Sequence, residues 1–312
     1  MTTQNYIFGP VASRRLGLSL GVDVIPYKIC TLDCVYCEVG RTSNKTIERK
    51  EYISIQTILT QLKQRLNQGI KADYISLCGS GEPTLNSRLG DLIDEIRNIT
   101  SIPIAIITNG TLLYKQDVRN DCAKADVVLP SLDAGTMDAY KKINRPHKEL
   151  SVEQLIHGME LFRKQYPGKI WLELFFTDNI NTDTLNIEAI RSSIKRINPD
   201  KIQLNTAVRP TAVSGINPMT KQKLMDIAEK IGNNSEIIAS FSKDSAAKNK
   251  TVNAQDILAM LKRRPCSLTD ISTSMGITQK NTLTCLKELK NHQLITEERQ
   301  GEIIYYKYLL NK

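Results

Sequence analysis

The sequence predicts an α/β fold: a partial (β/α)6 TIM-like barrel followed by a small C-terminal winged helix-turn-helix domain. Before residue 210, six short apolar segments alternate with segments of helical period, and this alternation is typical of right-handed βαβ units with a parallel sheet. The polar stretch 242–250 separates this region from a different pattern, three helices followed by a β-hairpin. We therefore expect a barrel over residues 1–232, a linker over 233–250 and a winged helix over 251–312.

The barrel helices are predicted from the spacing of apolar residues. In the first helix, Ile55, Ile58, Leu59 and Leu62 share one face, and Gly69 ends it. Six strands are too few for a closed eight-stranded barrel, and ligands of open parallel sheets bind at the carboxyl ends of the strands. The predicted strands are 20–26, 74–78, 103–107, 126–132, 170–176 and 201–205, and the predicted helices are 54–68, 87–98, 115–123, 136–142, 151–165, 184–196 and 219–231.

The C-terminal region has the element order of a winged helix-turn-helix. An amphipathic helix over 253–263 precedes two further helices and a hairpin that turns near Gly301. The start of the third helix exposes Gln279, Lys280 and Asn281, residue types that reach base edges in nucleic acids. Nucleic-acid binding, dimerisation and docking of a protein substrate all remain open for this region.

Composition excludes several classes of protein. The 312-residue chain has a net charge of +9, which permits an anionic partner such as nucleic acid without establishing one. Its apolar runs are too short to span a bilayer, and Met1–Asn5 shows no secretory signal. The chain has seven cysteines, and an odd, scattered set indicates a reducing compartment. We expect a cytoplasmic protein without a membrane partner.

Three cysteines form the most informative feature of the sequence. Cys30, Cys34 and Cys37 lie in one loop directly after a predicted strand. Thiols this close in an intracellular chain are more often metal ligands than disulfide partners. A structural zinc site usually has four protein ligands, and iron–sulfur clusters are normally held by cysteine thiolates. The fourth ligand is therefore either elsewhere in the chain or not part of the protein.

The cysteine loop, with the segments that follow it, resembles the radical S-adenosylmethionine (radical SAM) superfamily. Tyr36 stands directly before the third cysteine, and Gly79-Ser80-Gly81-Glu82-Pro83 follows the second strand like the glycine-rich motif of that family. A narrower similarity links the chain to the Fe–S oxidoreductases related to wyosine-base (tRNA) synthases. The segments that carry it are 8–17, 131–134, 144–147 and 205–210.

The chain also departs from the wyosine-base synthases. It has no cysteine before Cys30 that would hold a second cluster, and it carries a predicted winged helix that those synthases lack. The substrate of those enzymes therefore does not carry over to this chain.

The resemblance implies a [4Fe-4S] cluster and S-adenosyl-L-methionine (SAM) as cofactors. Cys30, Cys34 and Cys37 would bind three irons, and SAM would bind the fourth. An electron from the cluster would then cleave SAM to methionine and a 5'-deoxyadenosyl radical that attacks the substrate. The resemblance also implies a low-potential electron donor of the flavodoxin or ferredoxin type, which a basic surface attracts.

Further cofactor-binding residues are expected around SAM. The resemblance implies contacts from Tyr36, Gly79, Ser80, Gly81, Glu82, Asn109, Ser131 and Asp133. Glu173 is a candidate on different grounds, because a carboxylate among apolar strand residues is costly unless it has a partner. No catalytic residue is predicted.

The prediction is a radical SAM enzyme whose substrate is RNA or another macromolecule. The alternative is a redox- or SAM-sensing regulator that binds DNA through its winged helix. The sequence leaves open the identity of the substrate, the fate of SAM and the oligomeric state.

Overall fold

The structure, a computed structural model, describes residues 4–232, 235–238 and 254–309. Its main sheet has eight strands in the order β1-β2-β5-β6-β7-β8-β9-β10. Only β1 runs antiparallel to its neighbour, so the sheet is mixed but mostly parallel. The strands of this sheet are β1 (Ile7–Ser13), β2 (Gly17–Asp23), β5 (Tyr74–Cys78), β6 (Ile104–Thr108), β7 (Val127–Pro130), β8 (Lys169–Phe176), β9 (Lys201–Thr206) and β10 (Ser235–Ile237), and the short pair β3 (Ile29–Cys30) and β4 (Asn44–Lys45) lies apart from it.

Seven helices alternate with these strands, and each begins and ends within two residues of its predicted bounds. Their apolar faces pack on the sheet and form one large core, as expected for amphipathic surface helices. Side chains of Thr136, Ser151, Asp183 and Thr220 cap four of the helices. The helices are α1 (Ile55–Asn67), α2 (Leu89–Ile99), α3 (Gln116–Cys122), α4 (Met137–Ile143), α5 (Val152–Gln165), α6 (Thr184–Ile197) and α7 (Lys221–Ile231).

The α/β prediction is confirmed, and the six predicted strands are present as β2 and β5 to β9. Two strands of the main sheet were missed, as was the short pair β3 and β4. The N-terminal segment forms β1, which pairs with β2. The prediction of a linker over 233–250 is wrong in part, because Ser235–Ile237 forms strand β10 and pairs with β9. The free edge of β9 offers unpaired backbone groups to the next segment of chain. Residues 233, 234 and 239–250 of that linker lie outside the described residues.

The C-terminal unit, residues 254–309, has the predicted order of elements and one additional short strand. Its second core includes Ile257, Ile271, Leu286 and Tyr306. Strands β11, β13 and β12 form a three-stranded antiparallel sheet. The elements are α8 (Ala254–Leu261), β11 (Cys266–Ser267), α9 (Leu268–Met275), α10 (Gln279–Asn291), β12 (Ile295–Gln300) and β13 (Ile303–Tyr308).

The C-terminal unit covers the edge strand β1 of the main sheet. Helices α8 and α9 pack on β1, and Val11 of β1 belongs to the core of the C-terminal unit. On the other side, the Tyr305 hydroxyl donates to the Val208 carbonyl (2.9 Å) and Gln300 Nε2 donates to the Ala207 carbonyl (3.0 Å). The unit therefore bridges the first strand of the sheet and the segment after β9. None of the helices in the described ranges is long and apolar enough to cross a membrane.

Candidate active site

The loop that carries the three cysteines is anchored to two other parts of the sheet's carboxyl edge. The backbone N–H of Asp33 donates to the Asn144 carbonyl (3.0 Å), and that of Val35 donates to the Ile143 carbonyl (2.9 Å), both at the end of α4. The Val213 N–H donates to the Val35 carbonyl (3.1 Å). The cysteine loop is thus held between α4 and the segment after β9.

Each of the three cysteine sulfurs accepts a hydrogen bond from a side-chain nitrogen in a different part of the chain. All cysteines are free, so these sulfurs remain available as ligands. The three contacts are Lys28 Nζ to Cys37 Sγ at 3.2 Å, Asn144 Nδ2 to Cys34 Sγ at 3.3 Å, and Asn109 Nδ2 to Cys30 Sγ at 3.6 Å. The three donors would stabilise negative charge on the sulfurs.

Burial keeps the thiols of Cys30 and Cys34 protonated when no metal is bound. Loss of solvation raises the pKa of Cys30 to about 12 and holds the pKa of Cys34 well above its ordinary value. A metal replaces such protons because the thiolate is the ligand. Burial alone would lower the pKa of Lys28, but attraction to Cys37 outweighs it and raises the pKa. The Lys28 ammonium is therefore a fixed positive charge beside the sulfurs.

The three thiols fit an iron–sulfur cluster better than a single metal ion. Among the residues that the structure describes, no three His, Cys, Asp or Glu side chains converge on one point as the ligands of one ion do. In a cluster each thiolate binds a different iron, so the sulfurs need not converge. The residues present therefore fit a [4Fe-4S] cluster with three protein ligands.

The glycine-rich turn and the cysteine loop are joined through their backbones. The Lys28 N–H donates to the Ser80 carbonyl (2.7 Å), and the Glu82 N–H donates to the Ile29 carbonyl (3.1 Å). A Cβ on Gly81 would lie 2.0 Å from the Ile29 oxygen, a distance that no side chain tolerates. Gly79 has a φ of +135°, and a Cβ there would lie 2.0 Å from Asp23 Oδ1. Both positions require glycine, because neighbouring protein atoms lie too close to the backbone to leave room for a side chain.

Glu82 acts within the protein rather than as an open ligand. The buried carboxylate accepts hydrogen bonds from Thr84 N–H (3.0 Å) and hydroxyl (2.6 Å), from the Thr108 hydroxyl (2.5 Å) and from the Asn109 N–H (2.8 Å). Burial raises the pKa of Glu82, and these hydrogen bonds oppose the shift. Glu82 thereby positions Asn109, whose amide donates to Thr31 Oγ1 (2.8 Å) beside Cys30.

Tyr36 and Asp133 form a second polar group beside the cysteines. The Tyr36 ring stacks on Phe175 with centroids 3.8 Å apart, and its hydroxyl donates to Asp133 Oδ2. Asp133 also accepts from Asn144 Nδ2 (2.7 Å) and the Phe175 N–H (3.1 Å). Burial raises the pKa of Asp133 to about 6. Its oxygens are engaged by protein donors, so Asp133 orients Tyr36 and Asn144.

The expectation that Glu173 needs a partner is confirmed. Its carboxylate forms an ion pair with Arg15 and accepts a hydrogen bond from Asn205 Nδ2 (2.8 Å). Ser131 pairs with Glu173 through an isolated parallel bridge. Arg14 Nη1 donates to Asn205 Oδ1 at 3.0 Å. The structure thus joins Ser131 and Glu173 on neighbouring strands and connects Glu173 to the segment after β1.

Sequence reasoning identified Asn109 among the residues that contact the sulfurs, but it missed Lys28, Asn144 and the stacking partner of Tyr36. Asn144 lies in a segment that carried the family resemblance, and its amide was still not identified as a donor. Lys28 and Phe175 had no sequence signal, because only the folded chain brings them to Cys37 and Tyr36.

A sequence model of the Radical SAM superfamily matches residues 24–190. The chain is 35% identical over 312 residues to a UPF0026 protein of Methanocaldococcus jannaschii, covering 98% of this chain and 97% of that protein. It is 37% identical over 303 residues to a protein named GTPase Obg from Brachyspira hyodysenteriae, covering 96% of this chain. The chain spans only 45% of that second protein.

Solved structures share the fold at low sequence identity. A radical SAM methyltransferase from Sphaerobacter thermophilus matches with a TM-score of 0.55 and 15% identity, covering 70% of this chain and 65% of that one. Streptococcus suis SuiB bound to S-adenosylmethionine matches with a TM-score of 0.53 and 15% identity, covering 71% and 50%. The alternative of a DNA-binding regulator finds no support among these matches. With the family model covering more than half of the chain, this protein belongs to the Radical SAM superfamily, whose enzymes use a [4Fe-4S] cluster and SAM.

Proposed function

We propose that this protein is a radical SAM enzyme in which Cys30, Cys34 and Cys37 hold the cluster and SAM binds the fourth iron. The observation that carries the proposal is the set of three free thiols in one loop, each with its own nitrogen donor. When bound, the cluster and SAM supply one-electron cleavage of the sulfonium to methionine and a 5'-deoxyadenosyl radical, which abstracts hydrogen from a substrate.

The protein's own residues bind and orient. Lys28 and the two amides, Asn109 and Asn144, balance negative charge on the sulfurs. The backbone of Gly79–Gly81 is the expected contact for SAM. Glu82 holds the position of Asn109, as its hydrogen bonds support. These roles favour a site assembled before any ligand binds.

Tyr36, Ser131, Asp133 and Glu173 are proposed to form the rest of the cofactor site. Tyr36 would offer its ring as a wall for the adenine while Asp133 holds its hydroxyl. Glu173 forms an ion pair with Arg15, and this pair gives the site one carboxylate and one guanidinium that a polar ligand can meet. Ser131 lies next to Glu173 across the strands.

The proposed substrate is RNA or another macromolecule. The net charge of +9 and the resemblance to enzymes related to wyosine-base synthases support a nucleic acid. We interpret the C-terminal unit as a winged helix-turn-helix, and its own core supports a division into a barrel (1–232) and a C-terminal domain (251–312). Helix α10 packs on α8, α9 and β12, and Gln279, Lys280 and Asn281 at its start are exposed.

The proposed enzyme needs a low-potential electron donor of the flavodoxin or ferredoxin type. A basic protein surface favours docking of such acidic partners. Seven unpaired cysteines are compatible with a reducing compartment, and we place the protein in the cytoplasm.

The decisive experiment is SAM cleavage by the anaerobically reconstituted protein with dithionite as reductant. We expect 5'-deoxyadenosine from the wild type and none from C34A, together with loss of the iron–sulfur absorbance. The matched control is C285A, because Cys285 is a free, partly buried cysteine on α10. Absence of 5'-deoxyadenosine from a wild-type protein with full iron content would contradict the proposal.

The RNA part of the proposal has its own test. Modified nucleosides in a deletion strain should differ from those of its parent, and RNA binding should weaken steeply as salt rises. Unchanged nucleosides together with no RNA binding at low salt would exclude RNA and leave another macromolecule as substrate.

A further inference from the structure

A cavity of about 340 Å³ lies between the cysteine loop and the C-terminal unit. Its walls come from residues 38–41 of the loop, residues 210–212 after β9 and residues 261–265 that end α8. Pockets of 300–1,000 Å³ are the usual size of small-molecule sites. Neither the three cysteines nor the group around Tyr36 and Glu173 lines the cavity, so it is separate from the proposed radical site.

The charge of this cavity is suited to an anion. Its lining includes Arg41, Lys262, Arg264 and Lys307. Neither Lys262 nor Arg264 has a carboxylate oxygen within 4.0 Å among the described residues. Cations that no carboxylate contacts repel each other when they lie at one place, and a bound anion relieves that repulsion.

The acidic side chain in the lining does not cancel this charge. Glu38 lies 3.3 Å from Arg209 and 4.0 Å from Arg14, measured from guanidinium nitrogen to carboxylate oxygen. These ion pairs with residues that do not line the cavity offset the charge of Glu38, so the lining keeps an excess of positive charge.

The cavity also presents two aromatic rings. The Tyr27 hydroxyl donates to the Val39 carbonyl (2.7 Å), which fixes its ring on the loop side. On the opposite side, Lys262 Nζ lies 4.9 Å from the centroid of the Tyr308 ring. Flat aromatic faces beside cations are the arrangement that binds bases and phosphates together.

We propose that this cavity binds a nucleoside phosphate, with the phosphates on Lys262 and Arg264 and the base against the tyrosine rings. The shared chemistry is a flat base joined to phosphate, supplied either by a free nucleotide or by a nucleotide within RNA. The cysteine loop and the C-terminal unit would then both contact one ligand. The proposal does not rest on radical chemistry, because binding is measured without turnover.

The test is isothermal titration calorimetry of the full-length protein with ATP and GTP. We expect at least one of them to bind about tenfold or more tighter than either its nucleoside or tripolyphosphate. The double variant K262E/R264Q should weaken nucleotide binding about tenfold, and Y308A should weaken the nucleotide much more than tripolyphosphate. Lys262 is exposed, so K262E alone tests the proposal if Arg264 is needed for folding.

A second cationic cavity supplies the matched control. It measures about 190 Å³, its lining includes Lys141, Arg145 and Lys148, and it contains no tyrosine. We expect K141E/K148E to leave nucleotide binding within about twofold of wild type. Equal affinity in wild type and K262E/R264Q, or a larger loss in K141E/K148E, would overturn the proposal.

A competition experiment identifies the source of the nucleotide. If a short oligoribonucleotide displaces the bound nucleotide at lower concentration than the free nucleotide does, the ligand is part of RNA. If it does not displace it, the ligand is a free nucleotide. Tripolyphosphate that binds as tightly as the nucleotide would refute both, because the site would then recognise charge alone.

Discussion

Replacing Arg263 with methionine should destabilise the protein in a strongly pH-dependent way. Arg263 reaches from the C-terminal unit to Asp23 at the end of β2, with Nη2 and Oδ2 2.5 Å apart and both side chains less than one-tenth exposed. The guanidinium also lies 4.1 Å from the Phe8 ring centroid and donates to the Asn5 carbonyl (3.0 Å). It is thus a buried positive charge at the contact between the two parts of the chain.

The magnitude follows from the pKa of Asp23. Burial raises this pKa from 3.8 to about 6, and Arg263 opposes the rise. A raised folded pKa means that the carboxyl favours the folded state fully below about 3.8 and loses this contribution as the pH rises through about 6. At pH 8 the wild-type carboxyl is two pH units above its pKa, so protonating it in the folded state costs ~2.7 kcal/mol.

R263M removes the charge that lets Asp23 stay ionised, so at pH 8 the variant must protonate it. We expect a loss of ~2–3 kcal/mol at pH 8 and less than ~1 kcal/mol at pH 5.5, where Asp23 is already mostly neutral. Urea unfolding followed by circular dichroism at both pH values measures the difference. In D23N/R263M the pH dependence should disappear. Equal losses in R263M at both pH values would refute the ion pair as described.

Three further changes test the site. G81A should lower the iron content after reconstitution, because its Cβ would lie 2.0 Å from a backbone oxygen of the cysteine loop. G215A, whose φ of +82° carries local backbone strain but whose Cβ would meet open space, should retain full iron. Y36F removes the hydroxyl that donates to Asp133 and should cost ~1–2 kcal/mol of unfolding free energy in urea; an unchanged value would contradict that contact. N144A removes a donor to a cysteine sulfur and should lower the reduction potential in an EPR-monitored titration; an unchanged potential would show that the amide does not act on the cluster.

The barrel elements could be predicted because their apolar spacing is independent of tertiary contacts. A helix such as α1 shows its buried face at regular intervals, and from Ile170 onward β8 is a continuous apolar run except at Glu173. Strand β1 could not be recognised because Gly9 and Pro10 interrupt its pattern. Strand β10 has only three residues, and its pairing depends on the free edge of β9.

The parts of the candidate site that could be predicted are those whose residues lie close together in the sequence at a characteristic spacing. Three cysteines in eight residues and a glycine-rich turn after the next strand carry that information in the sequence. The contacts of Lys28 and Asn144 depend on loops that meet only in the folded chain, 9 and 110 residues from their cysteines. The need of Glu173 for a partner was evident, but its pairing with Arg15 spans 158 residues and required the structure.

The placement of the C-terminal unit determines which of its surfaces a partner can reach. Helices α8 and α9 pack on β1, and the Tyr305 and Gln300 side chains bond to the segment after β9, so these surfaces are occupied by the barrel. The start of α10 is exposed, and in the winged helix that we propose this is the surface that contacts nucleic acid. Docking on the barrel and the proposed binding of RNA would therefore use different faces of the C-terminal unit. An interface with a protein substrate on α8 or α9 would require the C-terminal unit to leave β1 and expose the core side chain Val11, which costs free energy that RNA binding on α10 does not.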